Sequence, residues 1–343
     1  MTIEEIKLRR LAGQHLLAPA PPLTVAEDLC GLQAQFLSAA CHALRIRSTE
    51  DSLAGLVKSW TLRGTVHLFP ETDLPLYIRR RGVPEDVTAS AWYRWLCDHG
   101  YPLTEERARF FAVLMAEAIA RGSDTREGLR LMCRERGMTE TEEAHVFHSW
   151  CGSIAQLAEL GVICSKVQEK KAYRLCPDFT PLTAEAAETE LARRYFTHYG
   201  PATLRDAAYF FHCPQTKVKT WLARLPARSV AVEGRTYFDL PGPEPEGDVP
   251  PVLFLGGFDQ LMLGYHKEDN PFLPQEYLRG IFNLAGIVAP AVLLHGRVAG
   301  RWKRQGEKLT ITIFETVSPE DRKRMEAEAV RLWPEAAIGF EHA

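Results

Sequence analysis

Apolar residues recur at helical spacing over residues 3–17, where Ile6, Leu11, Leu16 and Leu17 stand among charges and Pro19, Pro21 and Pro22 end the run. Thr24 and Glu27 have the spacing of a capping box and predict a helix through residues 26–32. Ser48 and Asp51 cap a third predicted helix over 51–62, and the run Arg63-Gly-Thr-Val-His-Leu-Phe69, closed by Pro70, reads as a strand. The same order then returns. Helices are predicted over 104–120, over 125–136 behind Asp124 as cap, and over 141–160, followed by strands at 161–164 and 172–176. A third series has a helix over 184–199, a short helix over 203–211 capped by Thr203 and Asp206, and a turn at His212-Cys213-Pro214. A basic helix over 215–225 follows, bearing Lys217, Lys219 and Arg224, and then a hairpin of 229–233 with 236–240. Helix, helix, helix, hairpin is the order of a winged helix, and a tight turn before a basic helix is a helix-turn-helix pattern whose second helix can enter a groove.

The run Pro241-Gly-Pro-Glu-Pro-Glu-Gly-Asp248 marks a boundary, after which the texture turns to β. Strands are predicted over 252–255, 288–294, 297–304 and 309–314, with His295-Gly296 as a hairpin turn, and Ser318-Pro319 starts a last helix to 332. The predicted class is α+β: tandem winged-helix units at 1–75, 100–180 and 185–242, and an α+β region at 250–343. A parallel sheet with crossover helices is not expected.

Composition narrows the function classes. Of 343 residues 46% are hydrophobic and 25% charged, the balance of a folded chain and not of a disordered one. No apolar run approaches the roughly 20 residues of a membrane span, and the opening MTIEEIKLRR lacks the apolar core of a signal peptide, so the expected address is cytoplasmic. The eight cysteines are never closer than eleven positions, which excludes a zinc knuckle, and disulfides are not expected. Net charge is −3, yet residues 277–306 hold five basic side chains (Arg279, Arg297, Arg301, Lys303, Arg304) and no acid, so a one-sided basic surface is compatible with the acidic total.

The familiar signatures of P-loop hydrolysis, Rossmann dinucleotide binding, zinc proteolysis and the esterase elbow are all missing from the sequence. Glu142, His145 and His148 share one helix face, but no second Glu-x-x-His exists to complete a bundle metal site, so no metal or cofactor is expected. The segment Gly31-Leu-Gln-Ala-Gln-Phe36 carries two amides two residues apart. On a helix they would diverge by about 200°; on extended backbone they point the same way. Glutamine has no useful basicity but can orient a water by donating and accepting hydrogen bonds. Taken alone, the pair reads as ordinary surface.

Gly-Leu-Gln-Ala-Gln followed by Arg63-Gly-Thr-Val-His-Leu-Phe69 resembles the start of the AlkZ/YcaQ family of winged-helix DNA glycosylases. So do Gly257-Phe-Asp-Gln-Leu-Met-Leu-Gly264 and the long segment from Asn283-Leu-Ala-Gly to Gly300-Arg-Trp302. The resemblance runs over nearly the whole chain. It implies tandem winged helices with a C-terminal β-rich region around a concave DNA-binding cleft, and removal of N7-alkylated purines, including bulky adducts and interstrand crosslinks. A Gln-x-Gln motif marks the AlkZ branch and Gln-x-Asp the YcaQ branch, so Gln33 and Gln35 place this chain with the former and become its candidate catalytic residues.

The chemistry suits neutral amides. Alkylation at N7 makes the purine a cation that leaves as a neutral base, so a strong general acid is dispensable and a positioned water can capture the oxocarbenium-like sugar. No lysine nucleophile is indicated, which predicts a monofunctional hydrolase. His67 is read either as lining the same cleft or as a structural histidine, and Asp259 either as an electrostatic partner of the cation or as a turn residue. Strand alternation predicts Arg297, Arg301 and Lys303 on one face, with Arg304 beside them, contacting phosphates together with Lys217 and Lys219. The expected partner is duplex DNA carrying alkylated purines, bound by a monomer. The rival is a non-catalytic winged-helix DNA-binding protein or regulator, which usually dimerises to match a two-fold site; no dimer stripe is present.

Overall fold

Leu56-Val-Lys-Ser-Trp60 is a strand where the sequence pattern predicts the middle of a helix. Gly55, at φ 74°, breaks any helix begun at Asp51. Val57 and Trp60 suit a pleated surface, and the segment gains a partner in Val66–Pro70, with Ser59 opposite His67. Tertiary pairing thus overrides the caps that suggested a helix over 51–62. The computed structural model describes residues 1–61 and 64–343; the predicted end of that helix at Leu62 and start of the strand at Arg63 lie outside the described residues. These fall into two units, one of residues 53–188 and one of 1–52 with 189–343.

In the unit of 53–188, Val66–Pro70, Leu56–Trp60, Ile163–Ser165 and Tyr173–Leu175 lie side by side in that order, all antiparallel. Helices Glu105–Ala120 and Arg126–Glu135 form as the pattern predicts, although Thr125 and not Asp124 supplies the second cap. The single helix predicted over 141–160 is two, Glu140–Val146 and Ser153–Glu159. Gly152 sits at the break, where a Cβ would lie 2.5 Å from the Val146 carbonyl oxygen. Phe111, Met115, Leu129, Leu157 and Ile163 form the core between helices and sheet.

In the other unit, Thr2 and Glu5 close a capping box on helix Ile3–Gly13. The next helix starts earlier than predicted, at Pro22, and ends at Asp28, so Thr24 lies inside it and is no cap. Helix Leu37–Arg45 has no counterpart among the predicted elements. The winged-helix order at 184–242 is present: helix Ala184–His198 (from Thr189 on in this unit), Leu204–Phe211 with its Thr203–Asp206 capping box, Gln215–Leu222, and the hairpin Arg228–Val232 with Arg235–Asp239. His212 turns the chain in left-handed conformation, as do Glu233 and Gly234 at the hairpin tip.

Residues 241–248 lie within this unit and do not separate two. Beyond them a five-stranded sheet runs Ala337–His342, Lys308–Ile313, Arg297–Gln305, Ala291–Leu294, Val252–Phe254. His295-Gly296 makes the predicted hairpin turn. Only the Ala337–His342 strand, which the pattern did not predict, is parallel to its neighbour, reached through helix Pro319–Leu332. Met325, Ala329 and Leu332 of that helix pack on Phe254, Val292 and Ile311 and cover one face of the sheet. Helices beside mainly antiparallel sheets make the class α+β, as the sequence predicts. All eight cysteines are free thiols. No helix among the described residues is long and apolar enough to cross a membrane.

Candidate active site and nucleic-acid interface

Helix Pro22–Asp28 is stopped by two consecutive left-handed residues, Cys30 (φ 54°) and Gly31 (φ 78°), which turn the chain into the extended pair Leu32–Gln33. Leu32 and Ala34 are buried and anchor the segment, while Gln35 is exposed. Gln33 is only 7% exposed. Among the described residues neither amide hydrogen-bonds to another protein group, so both remain available to water or substrate.

Phe36 follows, half exposed, with its ring stacked on Phe258 at 5.9 Å and 23°. This contact joins two of the segments that carried the family resemblance. Gly256 and Gly257 make it possible: a Cβ on Gly256 would meet the Ala39 carbonyl oxygen at 3.2 Å and the His42 ring at 3.3 Å. The Gly-Gly-Phe segment therefore lies directly against helix Leu37–Arg45.

Asp259 does not face a cleft. It is fully buried, caps the short helix Gln260–Leu263 by accepting from the Leu261 amide (2.9 Å), and pairs in a two-point grip with Arg47. Arg47 donates from Nη2 to Oδ1 at 2.7 Å and from Nη1 to Oδ2 at 2.9 Å, and gives its Nε proton to the Gln14 carbonyl. Both carboxylate oxygens of Asp259 are engaged within the protein, so the structure favours its reading as a turn residue. His67 is likewise buried, with Nδ1 at 2.6 Å from the Thr61 hydroxyl and 3.1 Å from the Thr65 carbonyl. That is the environment of a structural histidine.

A groove of about 1080 Å³ begins at Phe36. One wall is helix Leu37–Arg45 through Ala39, His42 and Arg45; another is 256–258 with 287–290; the floor is the outer face of the C-terminal sheet, with Arg301, Lys303, Thr310 and Thr312. Five basic residues line it (Arg45, Arg301, Lys303, Arg304, Lys308) against two acids, Asp51 and Glu341. Arg301 and Lys303 have no ion pair or hydrogen bond among the described residues, while Arg304 donates to the Gly306 carbonyl.

Arg297 departs from the predicted common face. A β-bulge between Val298 and Gly300 adds one residue to the strand, so that Arg297 opposes Leu294 but Arg301 opposes Ala291. The extra residue inverts the alternation, and Arg297 emerges on the other side, paired with Glu276 (3.2 Å) and Glu315 (3.0 Å). Its charge is matched by acids that flank the acid-free run in sequence. Lys217 and Lys219 are exposed on helix Gln215–Leu222, with Lys217 Nζ 5.6 Å from the centre of the Trp221 ring.

The sequence pattern missed His42, because helix Leu37–Arg45 was not predicted. Its ring stacks on Trp333 (5.5 Å, 12°), touches Trp302 at 5.2 Å, and donates from Nε2 to the Phe254 carbonyl at 2.7 Å. Burial holds its pKa below the ordinary histidine value despite that hydrogen bond. Leu284, 90% exposed, tops a tight turn in which Asn283 bonds to Ile287, and Ile287 reaches the groove. Glu142, His145 and His148 do not share the predicted helix face, because the helix ends at Val146 and leaves His148 beyond it. Glu142 takes two hydrogen bonds from Arg107, and the buried His145 faces the Tyr101 carbonyl.

A family model described as DNA glycosylase AlkZ-like matches residues 26–333 of the chain. The chain is 26% identical over 337 residues to the interstrand DNA cross-link repair glycosylase of Streptomyces sahachiroi, a match covering 90% of this chain and 89% of that protein. The solved structure of Streptomyces sahachiroi DNA glycosylase AlkZ is similar over the full length of both chains, with a TM-score of 0.76 at 22% identity, a likeness of fold.

Proposed function

Because the chain belongs to the AlkZ-like DNA glycosylase family, and is thereby a DNA glycosylase, we propose that it hydrolyses the N-glycosidic bond of N7-alkylated purines in duplex DNA, with Gln33 and Gln35 holding the attacking water. Family membership sets aside the reading as a non-catalytic regulator. The observation that carries the proposal is the pair of uncommitted amides on an extended turn whose next residue, Phe36, lines a groove with unpaired Arg301 and Lys303.

The reaction balances without an acid. The C1′–N9 bond breaks, its electron pair neutralises the N7 cation, and the purine leaves as a neutral base. Water adds its oxygen to C1′ and gives a proton to solvent. Amides that orient this water contribute in the range of about 10²–10³ in rate for one oriented contact. Neutral side chains also avoid clamping the cationic adduct in the ground state.

Bulky and crosslinked lesions belong to the same proposal. A crosslinked base cannot swing out into a snug pocket, so an open groove of basic residues suits it, and the Streptomyces sahachiroi relative is named for crosslink repair. The chain would act as a monomer, in general repair or in self-resistance to a genotoxin. Single-turnover excision from a duplex bearing one N7-methylguanine, and unhooking of an N7–N7 crosslinked duplex, test the reading. Release of the free base by the parent supports it; a parent that leaves every N7-alkylated duplex intact overturns it.

A further inference from the structure

His15, Asp28 and His198 stand far apart in sequence and meet in the unit of 1–52 with 189–343. His15 Nε2 is 2.8 Å from Asp28 Oδ2 and His198 Nε2 is 3.2 Å from Asp28 Oδ1. One donor atom from each residue can be chosen so that all three lie within 4.8 Å of one another. Both imidazoles are 8% exposed. We propose that these three residues hold a divalent transition-metal ion of the zinc class.

Hydrogen-bond directions give the first reason. His198 Nδ1 lies 3.1 Å from the Gly13 carbonyl oxygen, which only accepts, so Nδ1 carries the ring proton. The Nε2 then faces a carboxylate oxygen at 3.2 Å: as imidazolium it donates there, and as neutral imidazole it sets a lone pair against an acceptor. A cation between them removes that conflict. A histidine whose far nitrogen donates to a backbone carbonyl is also the usual outer-shell arrangement of a metal-bound imidazole.

Charge gives the second. Among the described residues no lysine or arginine pairs with Asp28; its ion-pair partners are the two histidines. Arg194, close by in sequence to His198, is taken by Glu190 and Glu27. His15 lies just beyond the C-cap of helix Ile3–Gly13, and His198 is the last residue of helix Ala184–His198. Both helix ends bring partial negative charge to the spot, which favours a cation.

Donor type gives the third. Two imidazole nitrogens and one carboxylate oxygen suit zinc, with a fourth position left for water. Ligand atoms around tetrahedral zinc at its usual bond lengths stand roughly 3.3 Å apart; the separations of 2.8 and 3.2 Å run to different oxygens of Asp28, so binding through one oxygen requires the imidazoles to close on it. The ion would clip three helix ends together, five residues upstream of Gln33.

The test uses the full chain, stripped with a chelator and titrated with Co²⁺. One equivalent bound, with visible d–d absorption, no thiolate charge-transfer band, and displacement by Zn²⁺, is the expected result. Asp28→Asn, close in shape, is expected to lower Zn²⁺ affinity at least about a hundredfold, no less than the loss of an outer-shell partner produces. His198→Ala is expected to do the same while circular dichroism stays that of the parent. Failure of the parent to bind Co²⁺ stoichiometrically, a spectrum dominated by thiolate, or unchanged affinity in Asp28→Asn would each overturn the proposal. In those cases the cluster is a hydrogen-bond network or the cysteines take the metal.

Discussion

Arg297 and Arg301, four residues apart on one strand, lie on opposite faces of the C-terminal sheet, because the bulge at Val298–Gly300 inserts one residue between them. Only Arg301 is left without an acid partner. The two arginines therefore have different expected effects on DNA binding. Arg301→Ala should weaken binding to all duplexes alike and reduce the salt dependence by roughly one phosphate contact. Arg297→Ala should leave the slope of log Kd against log salt where it was. Equal slopes for both variants would mean that neither face is the DNA face.

The Arg47–Asp259 pair is expected to matter for stability and not for chemistry. Both side chains are fully buried, and each is satisfied through the other. Removing one partner leaves a buried charge alone, which costs about 3–5 kcal/mol. Asp259→Asn should lower the urea midpoint accordingly, while Arg47→Met combined with Asp259→Leu recovers much of the loss. A single variant as stable as the parent would show that water reaches the pair.

His42 sets an acid limit. Its folded pKa lies below the ordinary 6.5, first because burial disfavours the imidazolium. As pH falls through 6.5 the unfolded chain takes up this proton before the folded one does. Stability present above that value therefore declines as pH drops. His145, lowered by burial too, acts in the same direction. Urea midpoints measured between about pH 7.5 and about pH 5.5 should decrease, and His42→Gln should make the decrease shallower. An unaltered slope in that variant would place the linkage elsewhere.

Much of this architecture can be read in the chain, and the failures have particular causes. Thr203 with Asp206, Gly234-Arg235, His295-Gly296, and Ser318 before Pro319 are local signals, and each element they announce is present, although the first hairpin turns one residue early, at Glu233-Gly234. Leu56–Trp60 departs from the predicted helix because its strand character comes from a partner ten residues on, while Ser48 and Asp51 offer a local alternative. The bulge that turns Arg297 away leaves no periodicity signal, since Val298-Ala-Gly300 is apolar throughout. The Gln-x-Gln pair was legible as a motif, but its extended backbone depends on Cys30, a left-handed residue that sequence rules do not favour there. Long-range clusters such as His15 with Asp28 and His198 have no spacing to recognise.

The glutamines carry the sharpest expectation. Gln33 is held by its buried neighbours Leu32 and Ala34, whereas Gln35 sits on an exposed bend, so the two amides differ in rigidity. If they share one water, Gln33 fixes its position and Gln35 closes the second hydrogen bond. Gln35→Ala should lower single-turnover excision of an N7-alkylguanine by roughly tens- to a thousandfold. Duplex affinity should barely change, because neither amide is placed as a phosphate contact. Gln35→Asp keeps an acceptor at the same site and should retain part of the activity, and the double Ala variant should be slower than either single one. Excision by the double variant at the parental rate would make the pair structural and move the search to the wall formed by His42 and Arg45. Reduced duplex affinity in step with reduced excision would instead assign the amides to binding.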